Sequence, residues 1–190
     1  MTLRTTDRVS TGQRVALLCA ALASGFASGP AFAASQGTLG STSTGTVSIS
    51  ASVPSRARIT GLSDVAFTNQ DPGTPASNAQ NVCIWSNTAT KGYTVTATGS
   101  GSGSAFTLTN GSGTVPYSVE WAASSGQTSG SALLSGTASG TLTTTAVNQT
   151  CSVAPATTAS LIVNIATADL STMDAGTSYT GTLTLVVTPQ

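Results

Sequence analysis

The chain has 190 residues, six basic and six acidic side chains, no formal net charge and no histidine. Charged residues make up 6% of it, against about 25% in an ordinary soluble domain, so it lacks the dense Lys/Arg surface that nucleic acids and anionic membranes require. Without histidine there is no Ser/His/Asp triad, no Cys/His pair and no common zinc site.

The first 33 residues read as a cleavable secretory signal. "MTLRTTDRVSTGQR" carries Arg4, Arg8 and Arg14, "VALLCAALASGFASG" is an apolar run short for a span, and Ala31 and Ala33 flank Phe32 as small residues suited to a signal peptidase. Cys19 lies in this segment and is expected to leave with it. Processing after Ala33 leaves 157 residues, enough for one domain and short for two. Their charged groups are Arg56, Arg58 and Lys91 against Asp64, Asp71, Glu120, Asp169 and Asp174, so solubility rests on Ser, Thr, Asn and Gly.

Residues 34–54 form a Gly/Ser/Thr-rich extension that ends in "TVSISASVP". There Val47, Ile49, Ala51 and Val53 alternate with Ser48, Ser50 and Ser52, the period of a strand with one buried face. Pro54 closes the run, and a domain is expected over 55–190.

Within that domain short β-rich runs alternate with turn residues and no long amphipathic helix is present. "RARITGL" and "DVAFTN" lead to a loop marked by Pro72, Gly73 and Pro75. "NVCIWSN" and "YTVTATG", the latter with Tyr93, Val95 and Ala97 on one face, predict a hairpin about "TATKG". The flexible "GSGSGS" precedes "AFTLTN". In "TVPYSVEWA" Val115, Tyr117, Val119 and Trp121 alternate with polar positions, and Pro116 points to an edge strand. "ALLSGTASGTLTTTAV" predicts one or two weak strands, "ASLIVNIA" a strong one apolar on both faces, and "ADLSTMDAG" a turn or a single helical turn. Near the end, Leu183, Leu185 and Val187 alternate with Thr184, Val186 and Thr188. About seven or eight strands at this spacing predict an all-β protein with an immunoglobulin-like sandwich.

Cys83 and Cys151 remain after processing. In an oxidising compartment they pair most simply as a disulfide, with two free buried thiols as the alternative.

Candidate chemistry is sparse. Asp169 and Asp174 are near one another in sequence, but nothing around them suggests a sugar-binding cleft, and turn capping is the simpler role. The alternating acidic spacing of a calcium loop is missing. "GSGSGSAF" has neither the lysine nor the context of a phosphate-binding loop. Trp85 and Trp121 sit in alternating runs and are expected in the core, and Asn110 and Asn148 fit the glycosylation pattern by spacing alone. The expectation is therefore a protein that is not an enzyme and has no cofactor and no metal.

"GTVSISASVP", "NVCIWSNTATKGYTVTATGSG", "AFTLTNGSGTVPYSVEW" and "AGTSYTGTLTLVVTP" resemble pilin subunits of the chaperone and usher route, in its archaic or spore-coat-protein-U-like branch. The resemblance covers nearly all of the chain beyond the signal. It implies an incomplete immunoglobulin-like fold whose missing strand comes from another subunit, as in the donor-strand complementation of chaperone and pilin. Val47, Ile49, Ala51 and Val53 would then be the donor side chains, and Leu183, Leu185 and Val187 would line the groove and meet the chaperone. The implied partners are neighbouring subunits in a head-to-tail polymer, a periplasmic chaperone and an outer-membrane usher, with no nucleic acid and no stable membrane insertion. The implied place is a fimbria on the cell surface, serving adhesion or biofilm formation. Two departures stand out: Pro189 occupies the penultimate position where many relatives have an aromatic, and the Cys83 to Cys151 spacing is long for the common type.

Two rivals stay open. A self-complete secreted module would fold "TVSISASV" back as its own edge strand and bind a glycan or coat partner. A small outer-membrane barrel fits the length, although aromatics are only 5% of the chain.

Overall fold

The computed structural model describes residues 33–190. Nearly all of the expected signal peptide, Cys19 included, therefore lies outside the described residues. The chain divides into two units, Met1–Ala51 and Ser52–Gln190.

In the first unit the described residues form no strand or helix, and the chain bends at residues 39–42. Ser35 and Thr46 form an isolated antiparallel bridge, with backbone N–H to C=O distances of 2.9 and 3.0 Å and their hydroxyls 2.6 Å apart. The bridge ties off the Gly/Ser/Thr-rich loop between them, just ahead of the alternating run.

The second unit is all-β. Its strands are β1 (Ala57–Thr60), β2 (Ala76–Ser86), β3 (Gly92–Gly99), β4 (Thr107–Thr109), β5 (Thr114–Pro116), β6 (Ser118–Ala122), β7 (Ser131–Ala132), β8 (Leu142–Thr143), β9 (Ala159–Ile165) and β10 (Leu183–Pro189). A single helical turn, α1 (Thr167–Leu170), follows β9. The helical turn expected from sequence is thus present and includes Asp169, but its N-cap is Ala166 and no side chain caps it. One sheet runs β1-β2-β9-β6-β7, a second runs β10-β3-β8, and β4 and β5 form a third, with Thr109 of β4 also bridged to Thr180.

Both larger sheets turn their apolar rows toward one core. Val82 and Ile84 of β2, Val119 and Trp121 of β6, and Leu161, Val163 and Ile165 of β9 meet Tyr93, Val95 and Ala97 of β3. β9, between β2 and β6, is buried almost throughout, and its apolar run puts Leu161, Val163 and Ile165 on the core while Ile162 is buried on the other face. Trp121 donates its indole N–H to the Tyr93 hydroxyl at 3.3 Å, a hydrogen bond that joins the two sheets. The buried hydroxyl of Thr158 accepts from the Ile84 N–H at 2.9 Å and donates to the Ile84 carbonyl at 3.1 Å. Among the described residues no buried side-chain polar atom lacks a partner.

Three expectations require correction. β2 and β3 are not a hairpin: β2 pairs with β1 and β9, and β3 pairs with β10 and β8. A hairpin would set their apolar rows side by side in one sheet, whereas the corner at Asn87–Lys91 sets them face to face and buries both. The run "TVPYSVEWA" is likewise split, with β5 on β4 and β6 between β9 and β7. Pro116 marks the edge piece as expected, while the alternation survives the switch because Val115, Tyr117, Val119 and Trp121 all reach the core. Finally, "DVAFTN" forms no ladder. Gly61, at φ +84°, turns the chain away after β1, and the Gln80 side chain holds Ser63 by accepting from its N–H at 2.8 Å and donating to its carbonyl at 3.0 Å.

Cys83 and Cys151 form a disulfide that closes 68 residues. It packs with Ala146 against Trp85, fastening the loop before β9 onto β2. Trp121 is in the core as expected, while Trp85 is half-buried beside this bridge. Replacing both cysteines by alanine is expected to cost about 4 kcal/mol of stability, a loss measurable as a lower denaturant midpoint under two-state conditions.

Candidate functional site

Two sheets around one core leave two seams where their edge strands lie. At one seam the edges are β1 and β10, which approach one another, and at the other they are β7 and β8.

Pairing parity defines the β10 edge. In an antiparallel ladder alternate residues turn both N–H and C=O toward the same neighbour. The register runs from Leu183↔Gly99 to Pro189↔Tyr93, and the next pair is bonded by Gln190 N–H to the Gly92 carbonyl at 3.0 Å. Even-numbered residues of β10 therefore bond β3. The odd ones, Leu183, Leu185, Val187 and Pro189, turn their backbone groups outward. β3 confirms the parity on its far side, where the Val95 and Ala97 carbonyls accept from Ser139 and Gly136, each at 2.8 Å. Pro189 thus sits where its missing N–H breaks no bond to β3.

The same odd residues of β10 direct their side chains at the core. Leu183, Leu185 and Val187 are half-buried against the main cluster, whereas Thr184, Val186 and Thr188 are exposed. The sequence-expected groove row is thus one surface bearing both free backbone groups and incompletely covered apolar side chains. Ile59 of β1, with Val65 and Phe67 of the unladdered segment 64–68, is also half-buried on that core. Sequence reasoning did not place these three at the seam. The available signal was the alternation of Val65 and Phe67 a few residues after Gly61.

The sequence-expected donor residues Val47, Ile49 and Val53 are 70, 90 and 83% exposed, and Ala51 is exposed too. Among the described residues none of the four has a ladder partner. Polar and apolar positions of the run are alike exposed.

At the opposite seam a cleft of about 450 Å³ is lined by Trp121, Leu133, Ser139, Gly140 and Leu142. It bears no charged side chain, and its indole is held by Tyr93. Asp174 accepts from the Tyr179 hydroxyl at 3.3 Å, and the Asn110 side chain accepts from the N–H groups of Ser112 and Gly113 in the β4–β5 turn, so both are occupied in local structure. Among the described residues no three His, Cys, Asp or Glu side chains cluster to hold a metal ion, and no helix is long and apolar enough to cross a membrane.

Compared with known proteins, the chain matches no protein-family model and no curated protein.

Burial pushes the Tyr93 phenol above its ordinary pKa of 10.0, opposed in part by the Trp121 hydrogen bond, and burial also raises Tyr117. The unfolded chain then releases these protons first, so their contribution to stability is present below about pH 10 and is lost as pH rises through the folded values. With no histidine to titrate, the denaturant midpoint is expected to vary little between about pH 5 and 8 and to drop by about pH 11.

Proposed function

We propose that this chain is a structural subunit of a surface filament, a pilin of the chaperone and usher type, assembled by strand donation. In this reading the second unit is an incomplete immunoglobulin-like sandwich, and residues 34–54 are the donor extension. One observation carries the reading: the outward edge of β10 presents unpaired backbone groups and half-covered Leu183, Leu185 and Val187, while Val47, Ile49, Ala51 and Val53 are exposed in a run of the matching period.

A strand laid at this seam would satisfy both at once. Its N–H and C=O groups would extend the β10 ladder, and its apolar row would cover the half-buried side chains around Ile59, Val65 and Phe67. Burying two valines, an isoleucine and an alanine would stabilise the joint by at most about 5 to 8 kcal/mol, with about 1 kcal/mol more for each net hydrogen bond. Before assembly the bare edge would pair with any available strand, which is the physical need that a periplasmic chaperone would meet, with an usher then exchanging its strand for a subunit's. Donor and acceptor are different surfaces, so the contact is head-to-tail and repeats into a fibre without closing. In this reading the chain is exported to the cell surface, needs no cofactor and performs no catalysis. A coat rich in Ser and Thr with few charges suits such a fibre.

The decisive experiment compares thermal melts of the domain lacking residues 34–54, with its disulfide intact, in the presence and absence of a peptide covering Thr44 to Pro54. The expected result is a labile domain whose melting temperature rises by about ten degrees or more with peptide, the scale set by several kcal/mol in a domain of this size. An unchanged melt with a stable monomer would show that the fold is complete without the extension.

A further inference from the structure

We propose that consecutive copies of this chain also meet through oppositely charged domain ends, the basic end of one, carrying Arg56, Arg58 and Lys91, facing the acidic end of the next, carrying Asp71, Asp169 and Asp174. The proposal takes its occupant, a second copy in a head-to-tail polymer, from the strand-donation reading above and adds an ionic contact outside the β10 seam.

The chain beyond residue 33 has eight charged side chains, and the fold sorts them by sign. β2 runs from Ala76, opposite Ile165, to Ser86, opposite Ala57. The Ser86 end holds every cation. Arg56 is tied there by Asn87, whose side chain accepts from the Arg56 N–H at 2.6 Å and whose own N–H donates to the Arg56 carbonyl at 3.1 Å. Arg58 lies opposite Trp85, and Lys91 closes the corner that follows β2, with its ammonium 3.4 Å from the Ala146 carbonyl. All three residues are exposed.

The Ala76 end holds three of the five carboxylates. Asp71 opens the turn that leads into β2, its carbonyl accepting from the Thr74 N–H at 3.0 Å. Asp169 lies in α1, just beyond the Ile165 that faces Ala76. Asp174 follows α1 and is bonded to Tyr179, whose neighbour Thr180 bridges to Thr109 shortly before β10 begins at Leu183. Asp71 and Asp174 are exposed and Asp169 is half-buried. The other two acids lie between the ends. Asp64 follows Ser63, which Gln80 holds, and the Glu120 carboxylate accepts from the Gly130 N–H at 2.8 Å and the Asn164 amide at 3.3 Å.

The eleven residues of β2 put about 35 Å between the two ends. The Debye length at physiological salt is about 8 Å, so the ends gain nothing from each other within one domain. Between copies they do. A basic end brought to an acidic end sets three positive charges against three negative ones, whereas two like ends repel. Exposed pairs of this kind add little affinity, but a field of one sign at each end governs the direction and rate of encounter. With so few other charges on the domain, nothing blurs that polarity. The extension leaves at Pro54, whose carbonyl accepts from the Asn87 amide at 2.9 Å at the basic end, and Leu183, opposite Gly99, begins β10 at the acidic end. Attraction between unlike ends therefore lines copies up head to tail and rejects the closed pairing of like ends.

The test uses four versions of the full-length chain, disulfide intact: the natural one, one with Arg56→Glu and Arg58→Glu, one with Asp71→Asn, Asp169→Lys and Asp174→Asn, and one with all five changes. Asparagine keeps the oxygen that Asp71 offers to the Gly73 N–H at 2.8 Å and that Asp174 offers to Tyr179. The second version has two acidic ends, the third two basic ends, and the fourth opposite ends with the polarity inverted. Each is diluted from denaturant into about 10 or about 150 mM salt, where the Debye length is about 30 or about 8 Å, and the initial rate of assembly is followed by light scattering. At the lower salt the natural chain is expected to assemble about tenfold or more faster than either single-end version, with the five-change version faster than both, and at the higher salt these differences are expected to shrink. Equal rates at low salt overturn the proposal, as does a deficit that persists at high salt or in the five-change version, since it is then structural. Slowing by the basic-end changes alone assigns the cations to another partner and overturns the pairing of ends. Failure of the natural chain to assemble at low salt overturns it too. Strand donation is judged separately: it stands if the Thr44 to Pro54 peptide still stabilises the domain lacking residues 34–54, and an unchanged melt removes it as well.

Discussion

The ladder between β3 and β10, from Leu183↔Gly99 to Pro189↔Tyr93, is the contact on which the second unit is organised, because it uses one edge of β10 and leaves the other bare. β3 is paired on both sides and wholly committed to the core through Tyr93, Val95 and Ala97. β10 inherits its position from β3 but not that coverage. Its even residues are held by backbone bonds, while its odd residues present side chains inward and peptide groups outward. The half-covered row and the free edge share one cause, the absence of a paired strand on the outer side of β10.

The remainder of the unit is arranged to keep that strand in place. The corner at Asn87–Lys91 carries the chain from the five-stranded to the three-stranded sheet, and Ser86 donates its hydroxyl to the Gly92 carbonyl at 2.9 Å within it. The Trp121 to Tyr93 hydrogen bond joins the sheets through the core. On the outer side, the Cys83–Cys151 bridge and the hydroxyl of Thr158 tie the loop before β9 to β2. Polar side chains also substitute for backbone pairing where strands end, as Gln80 does at Ser63. This is how a chain with few charges satisfies its interior: Ser, Thr, Asn and Gln supply the local bonds that ion pairs supply elsewhere.

The two seams differ in a way that bears on function. β7 and β8 are each two residues long and offer little continuous backbone for pairing. β10 offers seven residues, and β1 and the segment 64–68 add apolar side chains without a competing ladder beyond Thr60. A partner strand would gain hydrogen bonds and apolar contact together only at the β10 seam.

Much of this was legible in the residues. Alternation alone located Tyr93, Val95, Ala97, Val115, Tyr117, Val119, Trp121 and the β10 row, because a period of two survives any choice of sheet partner. The apolar run of "ASLIVNIA" marked the strand buried on both faces, and the two cysteines outside the expected signal segment pointed to the disulfide. Pairing was not legible. The sequence "NVCIWSN" followed by "YTVTATG" has the length and turn residues of a hairpin, and only burial of both apolar rows against each other required the chain to change sheets there. Nor could "DVAFTN" be distinguished from a paired strand, since a ladder depends on what lies alongside and not on the segment itself. The sequence by itself therefore determined which side chains face inward and that the protein is all-β. Tertiary structure alone decided which strands share a sheet, and so which edge remains open, because backbone hydrogen bonds are common to every residue and carry no signature in the letters.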